Sequence, residues 1–310
     1  MIVAVCSLSG SPGVTTLAAS LAASWPVSAL TVPVLVEADA SGGDMGVWHR
    51  RRGERGLGSL AAASRHPQTG QGDNPLLAHA EETSGGLPVV MAEPVANQCA
   101  AALHQLAQSP WLLRSGGVAV VDVGRIGPRT VGAYLLWQAD AVMVAVREDA
   151  AHLARLAQFT SSLGRLEESG VRFGAALVGG TRRFSDREIA EHTGMAVWAR
   201  VPHDARSAAF VRGEPISSGW QWWVRTCAWM RERRDISPVE RLPLMRTARG
   251  LGERVEALGK RVPAPAPAPE QPVSAPAEQQ KAAPAPHAPV ALAPQRTSAP
   301  SPVDEHRRAA

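Results

Sequence analysis

The sequence predicts a three-layer α/β domain whose sheet is mostly parallel. Seven short runs rich in Val, Ala and Leu recur between residues 1 and 202, and their apolar character is nearly continuous. Strands covered by helices on both faces require that pattern, whereas a strand wet on one face alternates. The segments between the runs carry helical spacing, so strands and helices interleave. From residue 263 onward Pro and Ala dominate, and such a segment buries too little apolar surface to offset the entropy of ordering.

The first run, "MIVAVC" (1–6), leads into a glycine turn and the small-residue helix "TTLAASLAASW" (15–25). "VPVLVEA" (32–38) and "GLPVVMA" (86–92) are the next strands. Between them, residues 49–80 are loop-rich, with "RRRGERG", a Gly/Gln/Pro-rich passage and one short helix near Leu57–Ala63. The helix "ANQCAAALHQLAQSPWLL" (96–113) precedes the strand "GVAVVDV" (117–123), and "DAVMVAV" (140–146) follows. "HLARLAQFTSSLGRLEES" (152–169) and "SDREIAEHTG" (185–194) are helices on either side of the strand "FGAALVG" (173–179). "AVWARVP" (196–202) is the last strand.

"GWQWWVRTCAWMRERR" (219–234) reads as a helix closing the domain, with Trp220, Trp223, Val224, Cys227 and Met230 on one face. Beyond it, Leu244, Ala248, Leu251, Val255, Leu258 and Val262 step by four and three. That spacing is an amphipathic helix, and its other face carries Arg246, Arg249, Arg254, Lys260 and Arg261. Gly250, Gly252 and Gly259 each cost it about 1 kcal/mol relative to Ala. It therefore orders against its own domain, a second copy or a membrane surface, three alternatives the sequence leaves open. The predicted organisation is a domain over 1–240, the basic amphipathic helix over 241–262, and a disordered Pro/Ala-rich tail over 263–310. The tail is a tether or a docking segment for a protein partner.

Net charge is +4, and its distribution says more than its total. Residues 225–262 hold ten Arg/Lys against five Asp/Glu, the tail is neutral, and the first 224 residues sum to minus one. Attraction to phosphate-rich surfaces is expected from the stretch after Arg225. Cys6, Cys99 and Cys227 lie far apart with no CxxC spacing, so neither a disulfide framework nor a zinc site is expected, and a reducing cytoplasm is the default. The start is apolar but short, without the basic lead of a signal peptide, and no run of about 18 apolar residues occurs. Lysine occurs only at Lys260 and Lys281.

The turn after the first strand reads "SGSPGVTT" (9–16). A phosphate loop works because backbone N–H groups turn inward and a helix N-terminus points at the anion. Glycines allow the tight path, a lysine neutralises the outer phosphates, and a Ser/Thr hydroxyl holds magnesium. Gly10 and Gly13 fit the loop glycines and Thr15 the magnesium position, with Thr16 after it. Val14, however, stands where the lysine belongs.

Here the chain resembles the MinD/ParA family of P-loop ATPases, which includes the Tad/Cpa pilus-localisation members. That family's loop, K-G-G-x-G-K-T-T, aligns with "SGSPGVTT" without gaps. Ser9 takes the place of the signature lysine that reaches a partner subunit's nucleotide. Ser11 replaces a glycine, Pro12 fills the free position, and both lysines are absent. "VLVEADASGGD" (34–44) resembles the family's second-strand motif. The resemblance implies that Asp39 orients the attacking water and touches the metal shell, with Glu37 as its acidic partner. "GVAVVDVG" (117–124) resembles Walker B, with Asp122 near magnesium and Gly124 as the switch glycine. "VPHD" (201–204) resembles the segment near the adenine, implying Pro202 and Asp204 at the base, although "VGG" (178–180) lacks the asparagine common there.

The implied cofactors are ATP and Mg²⁺, held by Gly10, Ser11, Gly13, Val14, Thr15, Thr16, Pro202 and Asp204, with Thr15, Asp39 and Asp122 serving the metal. Losing the lysine implies weak binding and slow or absent turnover, unless Arg125 or the Arg50–Arg52 stretch replaces it. The leading functional expectation is a cytoplasmic positioning or assembly factor, peripheral to a membrane or a pilus machine and able to form a homodimer. An active partition ATPase binding DNA and a catalytically dead scaffold are the alternatives. A metabolic P-loop enzyme is disfavoured, because the cysteines form no catalytic constellation.

Overall fold

A computed structural model describes residues 1–10, 12–26, 32–51, 53, 55–65, 74–114, 117–127, 130–161, 170–179, 182–214 and 241–259. The Trp-rich helix expected at 219–234, the second half of the one expected at 152–169, the tail, Ser11 and Arg52 lie outside these residues.

Eight strands form one sheet: β1 (Ile2–Ser7), β2 (Val34–Glu37), β3 (Glu81–Glu82), β4 (Pro88–Val90), β5 (Ala119–Arg125), β6 (Ala141–Arg147), β7 (Arg172–Val178) and β8 (Val197–Val201). Their order is β3-β4-β2-β5-β1-β6-β7-β8. All seven predicted strands are present and pair in parallel. The eighth, β3, is an antiparallel edge of two residues, too short to leave a period in the sequence.

The described helices are α1 (Val14–Ala23), α2 (Met45–Trp48), α3 (Leu57–Ala63), α4 (Pro75–Ala78), α5 (Ala96–Gln108), α6 (Trp111–Arg114), α7 (Ala133–Leu136), α8 (Ala150–Thr160), α9 (Asp186–Thr193), α10 (Ala205–Val211) and α11 (Pro243–Gly259). The helix predicted over 96–113 breaks into α5 and α6 at Ser109–Pro110. Proline has no N–H to give, and its ring pushes the preceding residue out of helical geometry.

Alternate residues of β1 enter two separate cores, as a strand covered on both faces must. Ile2, Ala4 and Cys6 join α3 and α5 on one side. Val3 and Val5 join α1 and α11 on the other. The sheet order reverses at β1, and in such sheets the crevice for a ligand opens beyond the carboxyl end of the strands at that point. The loop that leaves β1 lies there.

Helix α11 is ordered against its own domain, one of the three predicted alternatives. Leu244, Met245, Ala248, Leu251 and Val255 are buried, and the helix runs against α1 and β8. Trp25 Nε1 donates to Glu256 Oε1 at 3.1 Å, and Arg254 donates to the Trp198 carbonyl at 3.2 Å. Arg246 and Arg249 face outward. Among the described residues no helix is long and apolar enough to cross a membrane.

Candidate nucleotide site

The described glycines of the loop after β1 have the geometry that an anion cradle uses. Gly13 caps α1 at φ +90°, a left-handed conformation that disfavours any side chain. A Cβ added at Gly10 or Gly13 would meet nothing within 4 Å, so space is open beside both glycines. Ser7 Oγ donates to the Ser9 carbonyl at 3.0 Å and pins the rim of the loop. Val14 occupies the first turn of α1 but is only 6% exposed and sits in the apolar core. Its side chain therefore offers the cradle nothing, and what Val14 can contribute there is main chain.

Thr15 and Asp122, 107 positions apart in sequence, meet. The Thr15 hydroxyl lies close enough to the Asp122 carboxylate to favour its ionised form, and that carboxylate accepts from the Gly124 N–H at 3.0 Å. Burial pushes Asp122 up to about 6, despite those two neighbours, and the charges of Asp39 and Asp44 add to the rise. Asp39 is half-buried, and its Oδ1 accepts from the Ser41 N–H at 2.8 Å and the Ser41 hydroxyl at 2.6 Å. Hydroxyl and two carboxylates are a hard-oxygen set, the donor chemistry magnesium takes. Among the described residues no three His, Cys, Asp or Glu side chains gather as a metal site, so a magnesium ion here would draw its remaining oxygens from phosphate and water.

Glu37 is placed differently from its sequence expectation as the acidic partner of Asp39. Its Oε1 accepts from the Asp44 and Met45 N–H groups, both at 2.9 Å, and its Oε2 from the Ala92 N–H at 3.0 Å. It thus caps α2 and ties the ends of β2 and β4 together. Burial raises it to about 7 against those three donors.

On the other side of the loop lies a cavity of about 600 Å³. Gly13, Thr16, Pro202 and Asp204 line it, so four of the predicted contacts converge on one hollow. Asp204, however, is already engaged. It caps α10 through the Arg206 and Ser207 N–H groups and accepts from the Ser207 hydroxyl at 2.6 Å and the Leu244 N–H at 3.3 Å. Burial alone would raise its pKa, but the Ser207 hydroxyl and N–H lead the donors that hold it below the usual value.

Sequence reasoning missed the cations that border this region. Arg147 and Arg183 line the cavity, and Arg155 Nη1 donates to Ser9 Oγ at 3.1 Å. Arg125, by contrast, is exposed at the end of β5, and Arg50 and Arg51 line a separate hollow with Met91 and Glu93. The buried Glu148 accepts from the Arg182 and Phe184 N–H groups and from Arg200, which fixes the loop bearing Arg183. A signal existed only in part: Arg147 directly follows the predicted strand 140–146, where ligand contacts concentrate.

No family model and no curated protein matches the chain. Solved structures do. A ParA family ATPase from Chlorobium tepidum is 17% identical, covering 82% of this chain and 98% of that one, with a TM-score of 0.59. The septum site-determining protein MinD from Pyrococcus horikoshii, solved with Mg-ADP, is 13% identical over 83% and 96% of the two chains, with a TM-score of 0.56. The McdA(D38A)–ATP complex from Cyanothece is 12% identical over 85% and 97%, with a TM-score of 0.52. The structural neighbours are thus ParA- and MinD-type ATPases, and at these identities what the chain shares with them is the fold.

Proposed function

We propose that this chain, which has the fold of ParA- and MinD-type ATPases, is a positioning or assembly factor of that type with a degenerate ATP site. The observation that carries the reading is the gathering of Thr15, Asp122 and Asp39 beside the open glycine loop, with Asp39 held over Gly124 and the Gly124 N–H donating to Asp122. Loop amides and the α1 N-terminus would hold the phosphates, while Thr15, Asp122 and Asp39 would serve Mg²⁺. The metal would screen charge on the outer phosphates, and Asp39 would orient a water. Thr16, Pro202 and the cavity around them would take the rest of the nucleotide.

A buried charge-assisted contact contributes roughly 1.5–3 kcal/mol, so its loss at Val14 weakens binding roughly 10- to 150-fold. Turnover suffers more, because charge grows on the leaving group in the transition state. Such a protein acts by associating, not by fast hydrolysis. The solved MinC:MinD complex from Aquifex aeolicus, which has the same fold, supports partner recruitment as its mode. Recruitment to a membrane or a pilus machine, formation of a homodimer, a cytoplasmic location and a docking role for the tail belong to this proposal. Because the apolar face of α11 is buried, the membrane contact would be electrostatic, through Arg246, Arg249 and Arg254. The same exposed arginines favour non-specific DNA contact as the second reading.

Calorimetric titration with ATP and MgCl₂ tests the proposal. The wild type is expected to bind weakly and only with magnesium, and Thr15→Ala to lose that magnesium-dependent binding. If the wild type does not bind in a magnesium-dependent way, the site is a dead scaffold.

A further inference from the structure

The loop over residues 7–16 contains no Lys or Arg, and no lysine occurs before Lys260. A polyphosphate held by amides alone leaves several negative charges uncompensated in a partly desolvated site, which is costly without a cation nearby. The cation must come from elsewhere in the fold. One described basic side chain makes a hydrogen bond to the loop. Arg155 Nη1 lies 3.1 Å from Ser9 Oγ, across 146 residues of sequence.

The approach follows from the sheet order. β6 lies beside β1, so α8, which starts directly after β6, begins next to the loop that leaves β1. Asp149 caps α8 by accepting from the His152 N–H at 2.9 Å. Leu153 and Leu156 are buried and anchor the helix, which leaves Arg155 exposed and free to reach the rim. The Ser9 hydroxyl is a neutral acceptor. A guanidinium gains more from an anion than from a hydroxyl, and its planar fork suits phosphate oxygens.

We propose that Arg155 is the phosphate-binding cation of this site, parked on Ser9 Oγ and transferred to the phosphates of a bound nucleoside triphosphate. The loop has thus moved its positive charge from its own residues to the neighbouring helix. This rests on the nucleotide reading above.

The test is equilibrium titration of the full chain with Mg·ATP and with AMP, for the wild type, Arg155→Gln, Arg155→Lys and, as a control, Arg172→Gln, an exposed arginine at the amino end of β7. Arg155→Gln should weaken Mg·ATP binding about 10- to 100-fold and leave AMP binding within about twofold. Arg155→Lys should recover most of the loss, and Arg172→Gln should bind like the wild type. The exposed position makes unchanged thermal midpoints the expectation for all three variants. Wild-type binding of Mg·ATP with Arg155→Gln equally tight would overturn the Arg155 assignment alone. So would an equal loss for AMP. A wild type that binds no Mg·ATP would overturn the nucleotide reading and this assignment with it.

Discussion

The Asp39 carboxylate lies directly over Gly124: a Cβ placed there would stand 1.9 Å from Asp39 Oδ2. Gly124 also adopts φ +66°, in the left-handed region. The end of β2 and the end of β5 are thereby locked together through a missing side chain. The same glycine donates its N–H to Asp122, so one residue sets the position of both acids.

Gly124→Ala is therefore expected to cost more than backbone strain alone. A left-handed alanine loses roughly 1–2 kcal/mol, and Asp39 must leave its place as well. We expect a loss of roughly 2–4 kcal/mol in urea unfolding, together with weaker magnesium-dependent nucleotide binding. A variant as stable as the wild type would show that Asp39 does not hold this position.

Asp122 gives the site a pH dependence of defined sign. Burial holds its pKa at about 6, and a cation favours the ionised form. Magnesium-dependent affinity should therefore fall on acidification through about pH 6, by up to roughly tenfold per pH unit below it. The phosphates of the ligand titrate in the same range, so the decisive comparison is Asp122→Asn. The variant should bind more weakly at pH 7.5 and show a shallower slope between pH 5 and 7.5. Parallel slopes for the two proteins would refute the assignment.

How much of this was legible from the residues depended on how local the cause is. The seven longer strands announce themselves, because a strand buried on both faces writes its burial into every residue. The limits of α3, Leu57–Ala63, follow from a compact apolar patch in a polar insertion. α2 and α7 have four residues each, about one turn, which leaves no periodicity to detect. That Thr15 and Asp122 serve one place was implied by the family resemblance, whereas the capping role of Glu37 was not. Its partners Asp44, Met45 and Ala92 belong to two different crossovers, and only the folded sheet brings them to one carboxylate. The Arg155–Ser9 contact likewise depends on which strand neighbours β1, and no local pattern encodes that.

Glu37 tests the buried cap. Its folded pKa of about 7 lies above the ordinary 4.5, so its protonated form favours the fold. That contribution is present in full below about pH 4.5 and is lost as pH rises through about 7. The shift corresponds to roughly 3 kcal/mol across the window. Glu37→Gln cannot titrate, and its amide NH₂ must face a backbone donor, an orphaning that costs about 1–3 kcal/mol. The stability of the wild type relative to Glu37→Gln should therefore decline between pH 5 and 8. A difference that stays flat with pH would mean that Glu37 is ionised throughout.

Leu251 decides whether α11 belongs to the domain. It is 1% exposed, as are Met245 and Val255, and Trp25 of the α1 end packs in the same core. Gly252 is equally constrained, since a Cβ there would stand 2.7 Å from Pro26 Cδ. Leu251→Ala removes buried methyl groups and leaves a cavity, so it should destabilise the domain by about 2–5 kcal/mol in denaturant unfolding. A helix that merely rests on the surface would lose less than about 0.5 kcal/mol. The outward arginines make the complementary test. Reversing Arg246 and Arg249 to Glu should leave unfolding nearly unchanged but strongly reduce salt-sensitive co-sedimentation with anionic vesicles. If instead Leu251→Ala is silent in unfolding yet lowers vesicle binding, the apolar face of α11 serves the membrane and its packing on the domain is secondary.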